Sequence, residues 1–153
     1  MPRVQREAQV TWAGNVARGS GAISAATGAF EQLPYSLATR VEKVDGKTSP
    51  EELLAAAHAA CYAMSLAGEL AGAGHAPEHL DVRATVTLDQ VEDGSHRIVA
   101  SELRARARVT GIDDGALQEA AAAADRGCTF SKLIQASGTV TVNATLEGGT
   151  DGD

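Results

Sequence analysis

Two cysteines, Cys61 and Cys128, carry most of the chemistry open to this chain. Cys61 lies within residues 53–68, sixteen consecutive positions without Asp, Glu, Lys or Arg. On that ground alone it reads as a small buried hydrophobe, because free cysteine is among the most buried residue types. Cys128 changes the reading. It follows Gly127 and precedes a stretch, 129–134, that starts a short helix, where unpaired amides favour negative charge and hence a thiolate. A thiolate needs a cation nearby, and Arg40 stands in the polar stretch before the apolar segment; its plainer reading is an exposed strand residue. Metal binding is the rival chemistry: His58 and Cys61 are three apart on one helical face, Cys128 offers a third ligand, and His75 or His79 a fourth. That spacing is unspecific, since Pro77 interrupts the His75/His79 pair and no C-x-x-C is present. A hydrogen-bonded core histidine is the simpler account of His58.

The elements that must position these residues can be read from the same sequence. Ser49 as N-cap, Pro50 at the first helical position and Glu52 three residues on form a capping box. The helix that follows is apolar on every side and reads as surrounded by protein; it ends near Gly72 and Gly74, before Pro77. Between Ala8 and Val41 weak alternation broken by glycines predicts short antiparallel strands. Gly19 and Gly21 lack the third glycine and following helix of a phosphate loop. Residues 81–89 and 103–109 alternate cleanly around a polar turn at 92–95, a β-hairpin with one wet face. The stripe Arg104, Arg106, Arg108 belongs to that wet face. A second helix runs from about Asp113 to Arg126, closed by Gly127, and residues 138–146 alternate as a final strand. The expected organisation is one domain, 1–146, followed by a flexible tail, 147–153.

Bulk properties narrow the functions. The chain has 153 residues and a formal net charge of −7, with a pI near 5.0. Phosphate-backbone binding calls for a basic excess, so no nucleic-acid partner is expected. The N-terminus lacks the apolar region of a secretory signal, which places the expected location in the cytoplasm. Two cysteines under reducing conditions are more often catalytic, redox-sensing or metal-binding than structural. The uncharged run falls short of the roughly 20 residues a bilayer requires, so no membrane span is expected.

Taken together, Thr48-Ser49-Pro50-Glu51-Glu52-Leu53-Leu54, then Ala56-Ala57-His58-Ala59-Ala60-Cys61, and later Gly127-Cys128 leading into Ser131-Lys132, resemble the OsmC/Ohr family of osmotically inducible and organic hydroperoxide resistance proteins, the OsmC branch in particular. Trp12-Ala13-Gly14, Pro34-Tyr35 before Thr39-Arg40, and Gly111-Ile112-Asp113 agree with it. The resemblance covers nearly the whole chain. It implies an α+β fold in which two chains intertwine as a homodimer, antiparallel sheets wrapping around long buried central helices. It further implies a thiol peroxidase that reduces organic hydroperoxides without metal or organic cofactor. Carried over, Cys61 matches the peroxidatic cysteine, Cys128 the resolving one, Arg40 the arginine that activates the thiolate, and Glu51 the acid that holds that arginine. The Ohr branch takes its arginine from an earlier glycine-rich strand, here Arg18. The family commonly has Pro after the second cysteine, where this chain has Thr129.

The implied cycle oxidises Cys61 to a sulfenic acid, which Cys128 converts to a disulfide until a dithiol reductant (a lipoylated protein, thioredoxin or a small thiol) restores both thiols. Apolar neighbours Leu54, Met64, Leu66, Phe130 and Leu133 are candidates to line a pocket for an alkyl chain. Glu51 and Cys61, ten residues apart on one helix, stand ~15 Å apart along its axis. One arginine therefore meets both only if Arg40 and Glu51 come from one chain and Cys61 from its partner. The alternatives are a non-catalytic stress-related binding dimer, whose thiols would be inert, and a Cys/His metal-binding protein.

Overall fold

Glycine decides where the first sheet can form. The computed structural model describes residues 3–42 and 44–148; these divide into two compact units that meet at Leu53 and Leu54. In the first unit, β1 (Ala8–Ala13), β2 (Ser20–Ala25) and β3 (Leu33–Tyr35) make an antiparallel sheet in that order, as the alternation predicts. Gly21 stands opposite both Trp12 and Tyr35. A Cβ there would come within 2.4 Å of the Thr11 carbonyl oxygen and 2.5 Å of the Tyr35 ring. The glycine thus makes room for the Trp12–Tyr35 ring pair, whose centroids lie 5.4 Å apart.

The expectation of extended chain through Val41 needs correction. Residues Leu37–Val41 form a short helix, α1. Thr39 starts it locally: its hydroxyl accepts from the Ser36 amide at 3.1 Å and donates to the Ser36 carbonyl at 2.7 Å. The long helix α2 (Pro50–Gly72) opens as predicted, with the Ser49 hydroxyl accepting the Glu52 amide at 3.1 Å. Glu52 is engaged by the Thr48 hydroxyl at 2.8 Å, so its carboxylate serves the chain entering the helix.

The second unit carries the rest of α2, then β4 (His79–Gln90), β5 (His96–Arg108), α3 (Asp114–Gly127), α4 (Thr129–Gln135) and β6 (Thr139–Leu146). Its sheet has the order β4-β5-β6. β4 and β5 are the expected hairpin, but β6 runs parallel to β5, so this sheet is mixed and not wholly antiparallel. The reason is the crossover: the chain leaves β5, passes through α3 and α4, and returns in the direction it left.

Ser101, Leu103, Ala105 and Ala107 point inward from β5 and are buried, while Glu102, Arg104, Arg106 and Arg108 alternate outward, as the wet-face reading requires. Arg108 pairs with Glu147 at 3.5 Å. The core gathers Tyr62, Leu66 and Leu70 of α2, Leu103 of β5 and Leu117 of α3 around small residues such as Ala107 and Ala124. Alanines on the facing elements let backbones approach closely. Burial on α2 follows one stripe, His58, Tyr62, Leu66 and Leu70, and Met64 is 77% exposed. The expectation of a helix covered on every side is therefore not met within one chain. By length and composition α2 suffices to cross a membrane; its Tyr62 hydroxyl donates to the Ala121 carbonyl at 3.1 Å. At the end of the chain, the Glu147 amide donates to the Ala107 carbonyl at 2.8 Å; the remainder of the expected tail, from 149 onward, lies outside the described residues.

Gly138 precedes β6 with no space for a side chain, a Cβ there meeting the Val99 carbonyl oxygen at 2.3 Å and its carbon at 2.4 Å. Gly138→Ala must push β6 off the end of β5, and urea unfolding should show a stability loss of about 2 kcal/mol.

Candidate functional site

Helix α2 carries Cys61, and the junction of α3 with α4 carries Cys128. Cys128 does two structural jobs. Its amide donates to the carbonyls of Ala124 at 2.9 Å and Asp125 at 3.2 Å, ending α3, and its sulfur accepts the Ser131 amide at 3.5 Å, capping α4. Its backbone is extended (φ −73°, ψ 119°), which turns the chain between the helices. The result is that the Cys128 sulfur, fully buried, stands 3.3 Å from that of half-buried Cys61. Sixty-seven positions separate the two residues in sequence. Both are free thiols.

The surroundings make the two sulfurs unlike. Burial pushes the Cys61 thiol up, but donors outweigh it: the Thr129 hydroxyl, the Phe130 amide, the Cys128 thiol and the Thr129 amide together bring it below the ordinary value. Thr129 Oγ1 lies 3.5 Å from the sulfur. Burial pushes Cys128 above the ordinary value, the Ser131 amide offsets part of this, and the bond to Cys61 raises it further. So Cys128 donates and Cys61 accepts. The start of the short helix does act on Cys128 as expected, through the Ser131 and Phe130 amides, but burial and the bond to Cys61 outweigh them, whereas on Cys61 the donors prevail. Thr129 matters doubly, because a proline at that position would supply neither hydroxyl nor amide.

In the first unit, Arg40 lies on α1 and not on a strand, and it is ion-paired. Its Nε and Nη2 donate to one Glu51 carboxylate oxygen, Oε1, at 3.0 and 2.5 Å. The hydrogen bond to Glu51 raises the guanidinium further above its already high value. Glu51 sits in the first turn of α2, where the helix N-terminus favours an acid. Its other oxygen, Oε2, is buried and has no hydrogen-bond partner among the described residues. With the Arg40 side chain 41% exposed, such a pair contributes at most ~1 kcal/mol; what it does is fix the direction of a guanidinium. Arg18 lies in the exposed turn between β1 and β2, its amide bonded to the Asn15 side chain at 2.9 Å.

His58 is fully buried and both ring nitrogens are taken, Nδ1 by the Ser101 hydroxyl at 2.7 Å and Nε2 by the Ser131 hydroxyl at 2.9 Å. Sequence reasoning found this histidine and quoted Ser131 only within the family motif, without a role, and it missed Ser101; the signal for Ser101 was its inward register on β5. Among the described residues no group of three or more His, Cys, Asp or Glu is arranged to hold a metal ion. Of the apolar residues expected to line a pocket, Leu66 is instead wholly in the core, whereas Met64 and Leu133 are exposed on the helices that bear or follow the cysteines.

Architecture and site together define an α+β protein with two unlike thiols in contact. Residues 43–143 match the family described as OsmC-like protein. The chain is 39% identical to Peroxiredoxin OsmC of Escherichia coli (strain K12) over 137 residues, 87% of this chain and 92% of that protein. The organic hydroperoxide resistance protein OhrB of Bacillus subtilis superposes with a TM-score of 0.67 at 26% identity, over 92% of this chain and 98% of that one. An OsmC-like protein of unknown function from Vibrio cholerae gives a TM-score of 0.75 at 16% identity, over 93% and 99%. The chain belongs to the OsmC-like family.

Removing the Thr129 hydroxyl tests the electrostatics directly. Thr129→Val should shift Cys61 alkylation by iodoacetamide to higher pH, because a donor that favours the thiolate is gone. One such bond is worth about 1 kcal/mol, so the rate near neutral pH should fall about five-fold.

Proposed function

We propose that this protein is a thiol-dependent peroxidase that reduces organic hydroperoxides, with residues 1–146 acting as one OsmC-like domain. The observation that carries the reading is the sulfur pair: a half-exposed thiol surrounded by donors, with a second thiol 3.3 Å away. The similarity to Peroxiredoxin OsmC and to an organic hydroperoxide resistance protein supports the substrate class.

Cys61, as thiolate, attacks one peroxide oxygen; the O–O bond breaks, the alkoxide takes a proton and leaves as the alcohol, and Cys61 becomes a sulfenic acid. Cys128 attacks that sulfur, a disulfide forms and water leaves. A dithiol reductant restores both thiols. The sulfurs need close by only about 1.3 Å to reach bonding distance. Exposed Met64 and Leu133 suit an alkyl hydroperoxide better than hydrogen peroxide.

Arg40 is the cation that lowers the barrier, neutralising charge on the departing oxygen. Glu51 aims it. Since Glu51 begins α2 and Cys61 lies three turns along the same unbroken helix, the rise of ~1.5 Å per residue separates them too far for one guanidinium in the same chain to serve both. The protein works as a homodimer in which Arg40 and Glu51 of one protomer complete the cysteine site of its partner. The exposed side of α2 is the surface that the second chain covers.

Two measurements test this. With one equivalent of cumene hydroperoxide the reduced protein should lose both thiols rapidly, Cys128→Ser should retain a sulfenic acid on Cys61, and Cys61→Ser should not react; thiols that persist in the folded wild type would refute the peroxidase. Mixing inactive Arg40→Ala with inactive Cys61→Ala protein should restore activity in exchanged dimers, and no recovery would refute shared sites.

A further inference from the structure

The outer face of the second unit's sheet carries a cluster that the thiol chemistry does not use. Alternation along β5 sends Arg104 and Arg106 outward, but alternation does not decide what stands beside them. Register does. Arg83 of β4 lies directly opposite Arg104, and Asp81 directly opposite Arg106. On the other side of β5, Arg104 neighbours Asn143 of β6 and Arg106 neighbours Thr145. Together with Ala105 these residues line a hollow of about 320 Å³, near the lower bound for small-ligand sites.

Solvation alone accounts poorly for this arrangement. Facing side chains on adjacent strands start about 5 Å apart, and like charges placed so repel. Elsewhere the same hairpin avoids this, setting Asp89 against Arg97. Of the three arginines around the hollow, only Arg83 has an ion-pair partner among the described residues, Asp81 at 3.5 Å. Arg106 is thereby left without the acid directly opposite it, whereas Arg108, further along β5, is met by Glu78 and Glu147. Three positive charges share the hollow with one carboxylate, in a chain whose formal net charge is −7.

We propose that Arg83, Arg104 and Arg106, helped by Asn143 and Thr145, bind a phosphate-bearing anion on this face. A guanidinium offers a planar fork of N–H donors that matches two phosphate oxygens, and one phosphate has oxygens enough for several such forks. Standing among the three heads, the anion turns the repulsion between Arg83 and Arg104 into a shared attraction. The Asn143 amide and the Thr145 hydroxyl add neutral donors. Asp81, the one acid in the hollow, stays with Arg83 and orients it. A hollow of this size admits the phosphate and the first atoms of the group esterified to it, so a free phosphate ester and the phosphorylated headgroup of a lipid present the same chemistry here. Leu103, between Glu102 and Arg104, points the other way, into the core that contains Cys128. The site is therefore separate from the thiol pair and stands or falls independently of the peroxidase reading.

Nitrogen-labelled protein titrated with glycerol phosphate, at an ionic strength held constant with sodium chloride, tests the site through the arginine Nε–H resonances. Those of Arg83, Arg104 and Arg106 should shift together and saturate, while that of Arg97, outside the hollow, should not follow them. Arg104→Gln should weaken the affinity by about ten-fold or more, the scale of one lost charge-assisted bond. Without the anion the same variant should melt no lower than wild type, because it removes a repulsion; a purely structural arginine would lower the melting temperature. Cosedimentation with phosphatidylcholine vesicles containing phosphatidylglycerol separates the two sources. Arg104-dependent binding to the vesicles alone assigns the anion to a headgroup, Arg104-dependent binding of glycerol phosphate alone assigns it to a free ester, and either supports the site. No saturable response to either probe, a response that sodium chloride reproduces, or one of equal strength in Arg104→Gln overturns it.

Discussion

A histidine sealed from water has to find its hydrogen bonds within the protein, and His58 finds one in β5 and the other in α4. Those two bonds tie the long helix to the sheet on one side and to the junction of the short helices on the other. Cys61 stands one turn beyond His58 on α2, and Cys128 lies three residues before Ser131 on α4, where it caps that helix. The distance between the sulfurs is therefore set by the imidazole and its two hydroxyls as much as by the cysteines themselves. An unmet buried polar group costs ~1–3 kcal/mol, so each of the three side chains holds the others to one arrangement.

The same economy of parts differentiates the thiols. One residue, Cys128, ends α3 and begins α4, and in turning the chain it places the first amides of α4 toward Cys61. Cys128 stays deep and protonated while Cys61 gathers donors. Thr129 adds a hydroxyl and an amide to that set. Within the first unit a guanidinium is held by one carboxylate oxygen. That partly exposed pair does little for stability and fixes the direction of the guanidinium.

Much of this was legible in the residues. The cap at Ser49, the hairpin, the wet face of arginines and the α3–α4 break at Gly127 were readable because each depends on local patterns of two to four residues. Cys61 and Cys128 were singled out on residue type, and the family resemblance named Arg40 and Glu51. What escaped had non-local causes. The five-residue helix holding Arg40 rests on one threonine hydroxyl, too small a signal to outweigh alternation around it. The parallel return of β6 depends on where two helices lead the chain, which periodicity does not encode. The helix-start amides reach Cys128 as expected, but its depth outweighs them, and the same helix start also serves Cys61. Ser101 and Ser131 look like ordinary small residues until the fold brings them to either side of one ring.

The long sequence interval between the two sulfurs has a thermodynamic side. A bond between them would close a loop spanning 67 positions, and by the chain-entropy account such a closure removes about 4 kcal/mol of freedom from the unfolded ensemble. The spent form of the protein would then be the more resistant to unfolding and proteolysis, and the reduced form the more perishable. In the proposed cycle, molecules awaiting reductant would therefore be the better preserved and those already reduced the more open to decay.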